Sequence, residues 1–240
     1  GSTYRSLAYF FHSTYRSLAY FVNSTYHKSA HFGGSTHQSW ADFHNSTYQG
    51  RADFHNSTYQ DLANFHNSTY QGRADFSHST YKGRANFSHS TYKGEANFSH
   101  STYQGEANFR RSTYKGRAYF TGSTYKGRAY FTGSTYKSWA NFRRATYKGE
   151  ADFSGSIFCS EIYFGYSTHS DSSSRFTGCA PQFYNKTNRK NALFGSHNND
   201  FTADTSEGYP INLNSEGIPP GCKFLTSEQK EYLEGKLQEI

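Results

Sequence analysis

From Ser2 to Gly155 the chain repeats one pattern of small, aromatic and polar residues every eleven positions, in fourteen copies. Numbered from its first residue, the unit reads S-T-Y-x-G-x-A-x-F-x-x. Thr at position 2, Ala at 7 and Phe at 9 occur in every copy; Tyr at 3 gives way only at His37, and Ser at 1 only at Ala145. Positions 4, 6, 8 and 10 are mostly polar, so small and aromatic residues at 1, 3, 7 and 9 alternate with them. A period of two describes extended β-chain, not helix. Position 11 is Asn, Gly or His in all but two copies, and position 5 is Gly in eight. Both suit a positive φ or a tight corner. Each unit therefore reads as two short extended pieces with corners near positions 5–6 and 10–11.

Differences between copies add detail. Where position 5 is Gly, position 6 is Arg or Glu; where it is Ser or Asp, position 6 is Leu7, Leu18, Trp40, Leu62 or Trp139. This covariation predicts two corner conformations, one throwing position 6 into water and one folding it over an apolar surface, with Trp40 and Trp139 as plugs.

Two architectures fit the alternation: an antiparallel meander of nine-residue strands, or a β-solenoid in which copies stack in parallel. Identity at like positions favours the solenoid, where each Phe, Tyr and Thr sits on its own kind. An eleven-residue coil is too small to enclose both a Tyr and a Phe, since facing sheets need ~10 Å. Two units per coil give seven four-sided coils of 22 residues, roughly 34 Å long at ~4.8 Å per coil.

Ala151-Asp-Phe-Ser-Gly155, Ala85-Asn-Phe-Ser-His89 and Ala118-Tyr-Phe-Thr-Gly122 resemble the pentapeptide repeat A-(D/N)-(L/F)-x-x, and Ser112-Thr-Tyr-Lys-Gly116 fits it more loosely. The unit is similar to two pentapeptides with one residue inserted at position 6. The resemblance implies a quadrilateral β-solenoid with small residues and a large central one pointing inward. It covers residues 2–155, and its spacing departs from strict fives.

After Gly155 the pattern decays, so the chain divides into a repeat solenoid (1–155), an irregular region (156–225) and a C-terminal capping helix (226–240). Ser156-Ile-Phe158 and Ser167-Thr-His169 resemble the opening triad, and Asn191-Ala-Leu-Phe-Gly195 the second half-unit. Thr226-Ser-Glu-Gln229 is a capping-box start to a helix over about 227–239, with Tyr232, Leu233, Leu237 and Ile240 on one side. Covering the open end of the stack is its simplest role. At the other end Leu7, Phe11, Leu18, Phe21 and Val22 make the first two copies the most apolar, an expected surface for self-association.

Composition agrees with an aromatic core: 22 Tyr and 22 Phe among 240 residues, far from the profile of a disordered chain. The formal charge is +7. Residues 1–155 carry 18 Lys/Arg and 8 Asp/Glu (+10), the remainder 7 and 10 (−3). No apolar run approaches the ~18 residues of a membrane span. The sequence has no Met, so a start missing or processed away is expected. Three cysteines, all outside the repeats, fit free thiols or one disulfide with a thiol left over. Asn-x-Ser/Thr sequons at Asn23, Asn45, Asn56, Asn67, Asn86, Asn97 and Asn185 lean towards an extracellular location, though six of the seven are by-products of the repeat.

No catalytic motif stands out, and no cofactor is expected. His44, His55 and His66 recur at position 10, and His78, His89 and His100 at position 11, as corner residues without a specified metal-ligand partner. Carboxylates occur singly, at Asp42, Asp53, Asp75, Glu95, Glu106 and Glu150. The expected function is a non-enzymatic rod presenting side-chain ladders for recognition or self-assembly. Two alternatives have residues behind them. Between Ala107 and Gly149 there are ten basic and no acidic side chains. Of these Arg110, Arg111, Lys115, Arg117, Lys126, Arg128, Arg143 and Arg144 are the candidate contacts for a polyanion, a nucleic acid or acidic glycan, with Tyr119 and Tyr130 as stacking surfaces. Unvarying Thr at position 2, represented by Thr80, Thr91, Thr102, Thr113, Thr124 and Thr135, makes a ladder that resembles the flat Thr arrays of ice-binding β-solenoids. The Lys, Gln and Arg of position 4 roughen that surface.

Overall fold

The computed structural model describes residues 1–166 and 172–239. Each eleven-residue copy forms two two-residue strands, Thr–Tyr at positions 2–3 and Ala–x at 7–8. Strands stack in parallel on copies 22 residues away, Thr69 on Thr91 and Ala74 on Ala96. Two units thus make one coil, and seven coils make a four-sided β-solenoid. Side 1 carries the Thr–Tyr strands of odd-numbered copies and side 2 their Ala–x strands. Sides 3 and 4 carry the same two strands of even-numbered copies. The four sheets contain ten, eight, eight and seven strands in that order.

Alternation buries Ser, Tyr, Ala and Phe inward. Phe rings from sides 2 and 4 interleave along the axis: Phe54 lies flat on Phe76 at 5.0 Å and edge-on to Phe65 at 5.0 Å. Tyr rings form the two outer columns, Tyr48 on Tyr70 at 4.9 Å. Offset or edge-on aromatic contacts are the favoured geometries, and a coil spacing near 4.8 Å brings every ring onto the next. The inward Ser of position 1 ties the corner together. Ser79 donates its N–H to Ser101 Oγ at 3.1 Å, and Ser101 Oγ donates to Phe76 O at 3.1 Å.

The two corners work differently. Position 11 has positive φ in every copy, from His12 and Asn23 to Arg144 and Gly155. Position 5 needs Gly for another reason, the close approach of neighbouring coils. A Cβ on Gly116 would clash with Gly94 O.

Stacking does not stop at Gly155. Ile157, Ile162 and Arg175 continue sides 1, 2 and 3, and Gln182 bridges to Asp152 on side 4. Leu193, Asp200 and Ala203 then begin a looser second turn, and Lys223 adds a last strand to side 1. Phe164, Phe176, Phe183, Phe194 and Phe201 extend the aromatic core, and Ile211, Ile218 and Cys222 join it. Ser167-Thr-His169 lies outside the described residues.

The terminal helix, Ser227–Glu239, starts with the expected reciprocal cap. Gln229 N–H donates to Thr226 Oγ1 at 3.2 Å, and Thr226 N–H to Gln229 Oε1 at 3.0 Å. Leu233 and Leu237 face Lys137 and Cys159 on the flank of the last coils, so the helix covers their side while Ile211 and Ile218 close the interior. Tyr232, expected on the packed side, is exposed; it faces away from the leucine pair. Ile240 lies outside the described residues. All three cysteines are free.

Candidate interaction surfaces

The six threonines divide between two faces. Thr91, Thr113 and Thr135 stack on side 1, Thr80, Thr102 and Thr124 on the opposite side 3. Each ladder is one residue wide and bordered by position 4, which on side 1 runs Arg5, His27, Gln49, Gln71, Lys93, Lys115, Lys137.

The eight basic residues are not brought together either. A coil turns four corners, so residues close in sequence point in different directions. Arg117 sits at the corner of sides 1 and 2, Arg143 and Arg144 at that of 2 and 3, Arg128 at that of 3 and 4, and Arg110 and Arg111 at that of 4 and 1. Several are engaged locally. Arg110 lies 3.4 Å over the Tyr130 ring, Arg117 5.2 Å over Trp139 and Arg143 4.4 Å over Tyr163. Arg128 Nε is 3.7 Å from Glu150. Like corners in successive coils place opposite charges together, as in Arg73–Glu95 at 3.5 Å and Arg84–Glu106 at 3.2 Å.

The basic residues that do line up are Lys93, Lys115 and Lys137, one above another on side 1 with no acidic residue in the column. Partial desolvation, and then Lys93 and Lys137, push the Lys115 ammonium below its ordinary value. Lys126 and Lys148 make a shorter column on side 3.

Position 8 departs from the expectation of a solvated even position. Asp42, Asp53, Asp75, Asp152, Asn64 and Asn108 are buried. Stacking lets each side chain bond to its neighbours: Asn64 Nδ2 donates to Asp42 Oδ1 at 3.0 Å and Ser77 Oγ to Asp75 Oδ1 at 2.6 Å. Arg51 lies 3.2 Å from Asp53 and 3.4 Å from Asp75. Burial alone would raise the Asp53 carboxyl, but the His55 hydrogen bond at 2.5 Å and the Arg51 charge outweigh it and hold it below the usual range. His44, His55 and His66 are corner residues that serve these ladders, bonding to Asp42, Asp53 and Asn64. Among the described residues no cluster of three or more His, Cys, Asp or Glu could hold a metal ion.

The leucines and tryptophans of position 6 do not fill the interior. Leu7, Leu18 and Trp40 are exposed, and Trp139 is half-buried against Arg117 and Tyr119 on the outer surface. Position 6 points outward at the corner whatever residue occupies it, so no tryptophan plugs the interior. Exposed apolar residues concentrate in the first coil: Leu7, Tyr9, Phe11, Leu18 and Tyr20 are each at least half exposed. The sequence signal for this cluster was the apolar character of the first two copies.

Residues 49–91, 60–102, 93–135 and 104–146 match the family described as Pentapeptide repeats (9 copies). The repeat array is accordingly a pentapeptide-repeat-like β-solenoid, a structural repeat fold, with Ala or Ser and Phe or Tyr as the two inward residues of each side. Neither a curated protein nor a solved structure matches the chain.

Proposed function

We propose that the chain is a non-catalytic structural rod that assembles through its first coil. The supporting observation is the exposed apolar set Leu7, Tyr9, Phe11, Leu18 and Tyr20, side by side on the first coil. Interior coils carry mostly Arg, Glu, Asp, Asn, His or Ser at the same positions. A contiguous exposed apolar patch favours association. Sedimentation of the 240-residue chain over a range of concentrations tests the reading. Mass should rise with concentration and return to that of one chain in a Leu7→Lys/Leu18→Lys variant. A parent chain that stays monomeric at high concentration would refute it.

A second reading, binding of a linear polyanion, rests on the Lys93–Lys115–Lys137 column, whose mutual repulsion an anionic chain would relieve. It expects binding of a polyphosphate chain that weakens with salt and is lost in Lys115→Glu but kept in Arg117→Glu. Ice binding has less support, because position 4 borders each Thr ladder with long polar side chains.

A further inference from the structure

The column of position-10 residues at the corner of sides 2 and 3 has a gap. Over three successive coils it reads Phe11, Gly33, His55. At the like place on the opposite corner His44 and His66 carry rings on successive coils, stacked 4.9 Å apart. Gly33 has no side chain for the middle level, and a cavity of about 250 Å³ lies there, lined by residues of all three coils. Pockets for whole small ligands run to roughly 300–1,000 Å³, so this one suits a group the size of a single side chain.

The walls of the notch are aromatic. Tyr9 lies flat on His31 at 5.3 Å, Phe11 stands edge-on to Tyr9 at 5.8 Å, and His12 edge-on to Phe11 at 5.3 Å. Asp53 is the one carboxylate among the lining residues. Its Oδ1 accepts from the His55 ring at 2.5 Å and from the His55 N–H at 3.3 Å, and Arg51 lies 3.2 Å from its Oδ2. An ionised carboxylate has about four acceptor sites, so one remains. His31 Nδ1, at 3.6 Å from Oδ2, is too distant to fill it.

The rod itself shows what such a place holds. Arg143 occupies position 10 at the same corner further along, and its guanidinium lies 4.4 Å over Tyr163, the position-8 ring twenty residues on. Arg110, at position 10 of the opposite corner, lies 3.4 Å over Tyr130, again twenty residues on. Twenty residues on from Gly33 is Asp53. A guanidinium seated over Gly33 in the same way meets a carboxylate where those two meet a phenol. We propose that the notch at Gly33 is a binding site for a guanidinium group supplied from outside the rod. A planar, weakly hydrated cation stacks on ring faces and bonds a carboxylate at the same time, which a compact, strongly hydrated ammonium does less well. The site stands independently of assembly through the first coil.

Nuclear magnetic resonance titration of the dilute 240-residue chain with ethylguanidinium, followed on the imidazole protons of His12, His31 and His55, tests the site. Saturable binding is expected, tighter than that of ethylammonium. Asp53→Asn should weaken it about tenfold, and Gly33→Arg, which fills the notch from within, should abolish it. The Leu7→Lys/Leu18→Lys variant, changed outside the notch, should bind as the parent does whatever becomes of assembly. A capped arginine-containing tripeptide that binds more tightly than ethylguanidinium points to an arginine of a partner chain. Binding no tighter points to a small guanidino compound, and either result supports the site. Absence of saturable binding, equal affinity for ethylammonium, or undiminished binding in Gly33→Arg overturns it.

Discussion

The imidazole of His37 lies flat on the ring of Tyr59, centroids 4.8 Å apart and 9° from parallel. Tyr15 stacks on its other face at 4.6 Å. His37 is the one copy in which the inward Tyr is replaced, and it is fully buried with neither ring nitrogen hydrogen-bonded. Desolvation pushes its pKa down to about 4.

This makes the rod acid-sensitive at one place. The folded pKa is below that of the unfolded chain, about 6.5, so the neutral ring's contribution is complete above pH ~6.5. It is lost as pH falls from there towards about 4, amounting to about 3 kcal/mol. His37→Tyr restores the repeat and should raise the melting temperature at pH 5 more than at pH 8. Equal gains at both pH values would show that His37 does not titrate in this window.

Alkaline pH acts on many residues at once. Burial pushes the hydroxyls of Tyr70, Tyr81 and Tyr92 far above the ordinary phenol value, with neighbouring phenols adding to the effect. A raised folded pKa means stability that is intact below the unfolded value of about 10 and lost as pH rises through it. Circular dichroism against pH should show a steep, cooperative loss of structure beginning near pH 10. A gradual titration of independent phenols would contradict the packed columns.

Those same hydroxyls have no hydrogen-bond partner. The nearby seryl protons go elsewhere, Ser68 Oγ donating to Phe43 O at 3.3 Å and Ser90 Oγ to Phe65 O at 3.1 Å. A buried hydroxyl without a partner costs about 1–3 kcal/mol. Tyr70→Phe should therefore leave stability unchanged or raise it by about 1 kcal/mol in urea unfolding. A clear loss would mean that the hydroxyl is satisfied inside the rod.

Glycines separate by role. Gly116→Ala forces a Cβ onto Gly94 O and should lower the melting temperature. Gly235→Ala, in the terminal helix with nothing within 4 Å of the new methyl, should stabilise that helix by about 1 kcal/mol. Thermal melts of the two variants should move in opposite directions.

The corner serines give a graded effect. Ser101→Ala removes an acceptor for Ser79 N–H and a donor to Phe76 O, and should cost about 1–3 kcal/mol. Ala145 shows that the methyl fits, so the loss would report hydrogen bonds and not packing.

The eleven-residue period carried most of this architecture, because stacked coils bring identical residues together and the ladders appear in the chain as repetition. Two units per coil followed from the size of Tyr and Phe. Continuation beyond Gly155 was harder to read, since Phe164, Phe176, Phe183, Phe194 and Phe201 keep the core while their spacing varies with loop length. Burial at position 8 was hidden for a different reason. Asp and Asn there face outward as the alternation requires, and lose solvent only through the side chains stacked above and below. The basic cluster between Ala107 and Gly149 misled in the opposite sense, being contiguous in sequence and distributed around all four corners in space, whereas Lys93, Lys115 and Lys137 are separated by 22 residues and form a column.

Every surface described here depends on a coil of two units, and one cross-linking measurement tests that directly. Thr91 and Thr113 are neighbours in side 1, at the ~4.8 Å strand spacing that a disulfide spans, while Thr102 is on the opposite side. Oxidation of a dilute Thr91→Cys/Thr113→Cys chain should form an intramolecular disulfide, and a Thr91→Cys/Thr102→Cys chain should form none. A disulfide between residues 91 and 102 would contradict the four-sided coil and the ladders built upon it.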